Sequence, residues 1–377
     1  MTHNAILTFA DGDVFTGRLV GHSGIVVGEA VFNTAITGYQ EIITDPSYHR
    51  QLVNFTHPHI GNTGVTPLDD ESPQAFVAGI IARRITRHHS NWRAVQSLPG
   101  FLCDKRITAI EDIDTRAITR KLRNGGAISA SIAPGKSEAV QTEALAAARA
   151  FAGLQGVMLA SEAGSSRSNT WEEGLWRAAH NDYVGGGGGG KRVVILDCGT
   201  KSAILRHLAA RGCQLTVMPY ESDVAAVLAQ RPDGVVFSNG PGDPEPCEAA
   251  IKLARALLNQ NMPLLGICLG HQILAVALGG KTIKMKFGHH GANHPVRDTT
   301  HGRVLITSQN HGFAVDAKSL PASARVTYVS LFDGSLQGLA CEAPPVITFQ
   351  GHPEANPGPH DADFLFDNFM QLMGKHA

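Results

Sequence analysis

Residues 263–272 read Pro263-Leu-Leu-Gly-Ile-Cys268-Leu-Gly-His-Gln272, an apolar run that passes straight into a cysteine with glycines at 266 and 270. The run 263–267 predicts a buried strand, and residues 269–278 predict a helix entered at once from it. A strand that becomes a helix without a loop must turn sharply, and small residues on either side leave room for the turn. The side chain at 268 is thereby lifted out of the sheet to where a substrate can reach it, the geometry of a nucleophile elbow. It also stands at a helix N-terminus, whose positive dipole end favours a thiolate. Cys268 is therefore the candidate nucleophile. The same pattern also suits a small buried cysteine in a tight turn, so further motifs must decide.

The segments around this stretch share its rhythm. Val193–Leu196, Ser202–Ala210, Gln214–Met218, Asp223–Gln230 and Gly234–Phe237 alternate as strand, helix, strand, helix and strand, followed by a helix over 248–259. That alternation predicts an open, mostly parallel α/β sheet covered on both faces. Later β-rich segments lead to a closing helix near 361–373. Residues 1–150 read differently, as a mixed α/β domain. Their signals are a hairpin pattern around Asp11-Gly12-Asp13, short apolar runs at 51–55, 76–82 and 127–132, and a helix capped by Asp114 with Ile118 and Leu122 on one face. Residues 151–190 read as an inter-domain segment, with a short helical hint at 171–179 and a flexible linker in the six glycines 185–190. The second domain spans 191–377.

Two further motifs carry chemistry. The run Val346–Gln350 reads as a strand ending in Gly351-His352-Pro353-Glu354, which puts an imidazole and a carboxylate two residues apart on the same side. A thiol nucleophile needs a group that takes its proton and then protonates the leaving amine, and a histidine does both. His352 is the candidate base. Glu354 behind it would hold the imidazole's tautomer and stabilise the imidazolium. The third motif, Ser238-Asn-Gly240-Pro-Gly242-Asp-Pro244, follows the buried strand 234–237. Its glycines let backbone approach a ligand, and the N–H groups of Gly240 and Leu269 are the expected donors to an oxyanion.

Composition excludes several other classes. With 32 Lys and Arg against 33 Asp and Glu, the formal charge of −1 supplies no field for holding nucleic acid. No run of about eighteen apolar residues predicts a membrane span, and the N-terminus lacks the pattern of a signal peptide, so a cytoplasmic location is expected. The six cysteines show no C-x-x-C spacing, and the 18 histidines, including the 88–89 and 289–290 pairs, lack metal-ligand spacing. No metal site is expected.

Taken in order, Ser-Asn-Gly-Pro-Gly-Asp-Pro, Gly-Ile-Cys-Leu-Gly-His-Gln and Gly-His-Pro-Glu resemble the triad-type, class I glutamine amidotransferases. Phe32-Asn-Thr-Ala-Ile-Thr-Gly-Tyr-Gln-Glu41, Thr44-Asp-Pro-Ser-Tyr48, Phe55-Thr-His-Pro-His-Ile-Gly-Asn62 and Lys286-Phe-Gly-His-His-Gly-Ala-Asn-His-Pro295 are similar to the small subunit of carbamoyl-phosphate synthetase. The resemblance implies a γ-glutamyl thioester on Cys268, release of ammonia, and hydrolysis by water that His352 activates. It implies contacts to L-glutamine from Ser47, Gly240, Gly242, Leu269, Gln272, Asn310, Gly312 and Phe313. It also implies a large-subunit partner, as a heterodimer or higher oligomer, that makes carbamoyl phosphate for arginine and pyrimidine biosynthesis. No G-x-x-x-x-G-K-[ST] segment occurs here, so no cofactor is expected in this chain, and ATP and metal ions would be used by the large partner.

Two departures from the family pattern stand out: the long glycine run, and Asp197-Cys198-Gly199 where Asp-Phe-Gly is usual. Other readings are the glutaminase subunit of another pathway, against which the first 150 residues argue, and a non-catalytic scaffold, against which the intact Cys268, His352 and Glu354 argue.

Overall fold

The computed structural model describes residues 4–375. The chain divides into two compact units, one running to Gln155 with Lys286–Gly291 added, the other comprising Gly156–Met285 and the chain from Ala292 onward. Among the described residues no helix is long and apolar enough to cross a membrane.

The first unit is built on a closed barrel, in which strands Asn4–Phe9, Val14–Gly21, Thr108–Glu111, Gly79–Ile81, Gln51–Phe55, Val26–Asn33 and Ile128–Pro134 neighbour one another in that order. The first two form the expected hairpin, with Thr8 opposite Val14. The interior is filled by inward-facing residues including Leu7, Phe9, Leu52, Ile81, Ile110 and Ile132. The helix Thr115–Gly125 lays Ile118 and Leu122 on this core. Asp114 caps it, its carboxylate accepting the Ala117 N–H at 2.9 Å.

The second unit carries a ten-stranded sheet. Its centre is parallel, in the order Gln214–Pro219, Arg192–Asp197, Gly234–Phe237, Leu264–Ile267, Val346–Phe349. Leu336–Cys341, Arg325–Ser330, Thr282–Asp298 and Val304–Val315 extend one side, and Asn169–Trp171 pairs antiparallel on the other. Because side chains alternate along a strand, the central strands feed two cores. Val194, Leu196, Val235 and Phe237 join the helices Glu248–Leu258 and Leu269–Ala277 in one core. Val193, Ile195, Val236 and Ile267 meet Ile204 and Leu208 of helix Ser202–Ala210, and Phe366 and Phe369 of helix Phe364–Lys375, in the other. This is the open sheet covered on both faces that the alternating rhythm predicts.

Residues 156–190 differ from the expectation of a linker. The helical hint at 171–179 is a strand, Glu173–Arg177, paired with Asp182–Gly185. The ribbon is held by Arg206, whose guanidinium lies 3.6 Å from the Tyr183 ring centre and bonds Glu173 at 2.8 Å. Antiparallel backbone pairing with Asp182–Gly185 holds these residues extended. The glycine run likewise lies within the second unit, its Gly187 N–H donating to Ala209 O at 2.8 Å, and the division between units falls at Gln155–Gly156.

Candidate active site

Three neighbouring parallel strands of the second unit, Gly234–Phe237, Leu264–Ile267 and Val346–Phe349, end at the same edge of the sheet. Carboxyl ends of parallel strands are where open α/β sheets place ligands. The loops that follow contain Gly240, Cys268 and His352, so residues far apart in sequence converge because their strands are adjacent.

Cys268 sits between strand Leu264–Ile267 and helix Leu269–Ala277 with φ 53° and ψ −106°. A non-glycine residue in that conformation carries strain on the order of 1–3 kcal/mol and persists only where its surroundings enforce it. Here they do. The Cys268 N–H donates to Phe349 O at 2.9 Å, and the Gly270 N–H to Ser238 O at 3.0 Å. A β-carbon on Gly270 would lie 2.0 Å from Phe237 O, and one on Gly266 would lie 2.6 Å from Gly270 O. Both glycines are thus demanded by close backbone approach. Gly270→Ala is expected to cost about 3 kcal/mol of stability through overpacking against rigid backbone, which urea unfolding will measure.

His352 is buried and anchored by its own N–H, which donates to Ser308 O at 2.9 Å. Its Nδ1 lies 2.6 Å from Glu354 Oε1, so the carboxylate fixes which ring nitrogen faces away. The Cys268 thiol donates to Asn310 O at 3.4 Å, and His352 Nε2 has no well-formed hydrogen bond among the described residues. The sulfur is still close enough to act on the imidazole. Burial alone disfavours the imidazolium, but the Glu354 charge and the Cys268 sulfur outweigh it and raise the His352 pKa to about 10.

Behind this pair stands a residue that the sequence reading left out of the site. Lys201 is buried, and its Nζ bonds Glu354 Oε1 at 3.0 Å and Ala355 O at 2.7 Å. Burial would favour a neutral Glu354, yet the Lys201 and His352 charges draw its pKa down to about 2. The segment Asp197-Cys198-Gly199 builds the turn that delivers this lysine through its aspartate. Asp197 Oδ1 accepts from the Gly199 and Thr200 N–H groups at 3.0 and 2.8 Å, and the Lys201 N–H donates to Asn239 Oδ1 at 3.0 Å. The available signal was that Lys201 follows a fourth parallel strand, Arg192–Asp197, beside Gly234–Phe237.

Of the other expected residues of the second unit, Asn310 meets the thiol through its carbonyl, and Gly240 and Gln272 make contacts at the elbow. Gly240 packs on the elbow so closely that a β-carbon would lie 2.2 Å from Cys198 O and 2.9 Å from Leu269 Cδ2. Gln272 donates to Phe313 O at 2.9 Å, tying the elbow helix to strand Val304–Val315, which carries Asn310, Gly312 and Phe313. Gly242 adopts φ +89° in the loop after Gly240. Ser47 belongs to the first unit, in a short turn where its N–H donates to Asp45 at 2.8 Å. No group of three His, Cys, Asp or Glu side chains is placed to hold a metal among the described residues.

Residues 194–372 match the family model of glutamine amidotransferase class-I, and residues 7–132 match that of carbamoyl-phosphate synthase small chain, CPSase domain. The chain is 51% identical over 393 residues to the carbamoyl phosphate synthase small chain of Xanthomonas axonopodis pv. citri (strain 306), covering 100% of both chains. The chain belongs to the carbamoyl phosphate synthase small chain family. Other members of that family are as similar. The Xanthomonas campestris pv. campestris protein is 52% identical over 100% of this chain and 99% of its own, and the Polynucleobacter asymbioticus protein is 52% identical over 98% and 96%. The family's amidotransferase region in this chain contains the elbow, His352, Glu354 and Lys201.

Proposed function

We propose that this small chain hydrolyses the side-chain amide of L-glutamine at Cys268 and supplies the ammonia to a larger synthetase chain that makes carbamoyl phosphate. Sulfur adds to the amide carbon as a thiolate, its proton already held on the neighbouring His352. The resulting oxyanion is stabilised by the backbone N–H groups of Gly240 and Leu269. Collapse breaks the C–N bond, and His352 gives the proton to the departing amine, leaving a thioester and ammonia. Water then attacks the thioester, His352 takes its proton, and glutamate leaves as the thiol is restored. Glu354 holds the imidazole and Lys201 holds Glu354. Gln272, Asn310, Gly312 and Phe313 line the place where the glutamine chain would lie.

The observation that carries this reading is a buried imidazole held 2.6 Å from a carboxylate beside a cysteine in an enforced elbow. Nucleotide and metal chemistry are assigned to the larger chain. A cytoplasmic location suits six cysteines that are all free thiols. A glutamine-mimicking electrophile tests the assignment. Peptide mass spectrometry of the treated complex should place the adduct on Cys268, and an adduct on any other cysteine, or none, would overturn it.

A further inference from the structure

The two ends of a side-chain amide differ: the nitrogen donates two hydrogen bonds, and the oxygen only accepts. Gln272 is buried, and both of its donors are taken. Its Nε2 lies 2.9 Å from Phe313 O and 3.0 Å from Gln350 Oε1. Its Oε1 accepts no hydrogen bond among the described residues and is not sealed from solvent. These orientations follow from one another. Phe313 O can only accept, so the nitrogen of Gln272 must face it, and Gln350 must then turn its own oxygen toward that nitrogen. With its N–H groups spent inside the fold, Gln272 has an acceptor left to offer and no donor.

The elbow sets where that acceptor stands. Gln272 comes four residues after Cys268, and its backbone N–H donates to Cys268 O at 3.2 Å, so the two side chains share a helix face. Strand Val304–Val315 meets both, the thiol through Asn310 O at 3.4 Å and the amide through Phe313 O. Gln350, by contrast, is poorly served by its own surroundings. It is fully buried two residues before His352, and its Nε2 has no hydrogen-bond partner among the described residues. A buried donor without an acceptor destabilises the fold, which an apolar side chain of similar volume would avoid. Gln309 and Gln337 also bury an amide with an unmatched oxygen, so imperfect pairing alone marks no role. Their side-chain nitrogens bond Thr307 and Ser335, whereas the side-chain bond of Gln350 goes to the helix face that carries the thiol.

We infer that Gln350 is a positioning residue that holds the Gln272 amide oxygen outward, so that Gln272 accepts a hydrogen bond from the α-ammonium of the substrate. This rests on the proposed hydrolysis of L-glutamine. Four residues of helix advance ~6 Å, comparable with the distance from the amide carbon of glutamine to its α-amino nitrogen. With the amide carbon at the sulfur, the α-ammonium is the substrate donor within reach of Gln272 Oε1. Without the Gln350 acceptor one N–H of Gln272 is released, and the amide can rotate to present a donor to a cation. A contact made alike in the bound and reacting states changes KM and leaves kcat nearly as it was.

The test is steady-state glutamine hydrolysis by the complex carrying Gln350→Met, compared with the unaltered complex. KM for glutamine is expected to rise about tenfold, the worth of one hydrogen bond to a charged group, with kcat within about twofold. Glutaramate, which is glutamine without its α-amino group, separates positioning from a merely structural role. Its inhibition constant against glutamine should be the same for both complexes. Urea unfolding should find the variant no less stable, since the unmatched Nε2 leaves with the amide. Should Gln350→Met fail to fold, Gln350→Asn, which draws the carbonyl back by one methylene, is expected to raise KM in the same selective way. An unchanged KM in the folded variant would overturn the inference, and so would equal weakening of glutamine and glutaramate. Failure of the unaltered complex to hydrolyse glutamine would instead sink the glutaminase reading and the positioning role together.

Discussion

Cys268→Ser is expected to abolish glutamine-dependent synthesis by the complex while leaving synthesis from free ammonia intact. The serine hydroxyl fills the same elbow, since the φ of 53° is imposed by the backbone bonds to Phe349 and Ser238 and not by sulfur. Its conjugate base is far less available at neutral pH than a thiolate, so the attack on the amide carbon fails even though His352 remains in place. Removing the nucleophile of a hydrolase that works through a covalent intermediate costs on the order of 10^4 to 10^6 in kcat. Ammonia added to the solution bypasses the step. The check is a pair of rate measurements on one preparation, with glutamine and with ammonium as nitrogen source. Glutamine use at the unaltered rate would remove Cys268 from the chemistry, and loss of both rates would point to a folding defect instead.

Lys201→Met is expected to have the largest effect on stability. Methionine keeps most of the length of the side chain and removes the charge, leaving Glu354 buried with His352 as its remaining counter-charge among the described residues. Breaking a buried ion pair by removing one partner costs roughly 3–5 kcal/mol, because the remaining charge keeps its desolvation penalty. No discount for solvent screening applies, since Lys201 is 2% and Glu354 0% exposed.

The pH dependence separates this from a simple packing defect. The Glu354 pKa is depressed from its usual 4.5 to about 2, so its contribution to stability is present above pH 4.5 and is lost as pH falls through about 2. The His352 pKa is raised from 6.5 to about 10, so its contribution is complete below pH 6.5 and is lost as pH rises through about 10. The network as a whole is therefore fully stabilising between pH 4.5 and 6.5. Without Lys201 the Glu354 pKa rises, and acid unfolding is expected to begin at a higher pH. Urea unfolding of both proteins across a pH series measures this. An unaltered acid limb would mean that Lys201 does not hold the carboxylate in its charged form.

These two substitutions also mark how far the site could be read from residues in order. Cys268 announces itself because the elbow is a local event, with apolar strand, glycine, cysteine, glycine and helix all contained in ten residues. His352 and Glu354 are legible for the same reason, as a short motif at a strand end. Lys201 carries no such mark. It is 153 residues from Glu354, and nothing in Gly-Thr-Lys-Ser announces a buried cation. Its role follows from strand Arg192–Asp197 lying next to Gly234–Phe237, with Asp197 and Asn239 turning its loop toward the carboxylate.

The same contrast runs through the fold. Hydrophobic period, capping residues and glycine placement belong to contiguous segments, so the sequence by itself determined the hairpin at Asp11-Gly12-Asp13, the Asp114-capped helix, the strand and helix alternation of the second unit, and the elbow. Which strand lies beside which is a global matter of burying faces together. The tertiary structure alone decided that the first unit's strands close into a barrel, with Val26–Asn33 between Gln51–Phe55 and Ile128–Pro134. It alone decided that residues 173–177 extend around Arg206, and that a lysine beyond the reach of any local motif completes the charge network behind His352, because burial and pairing energies depend on neighbours that chain order does not name.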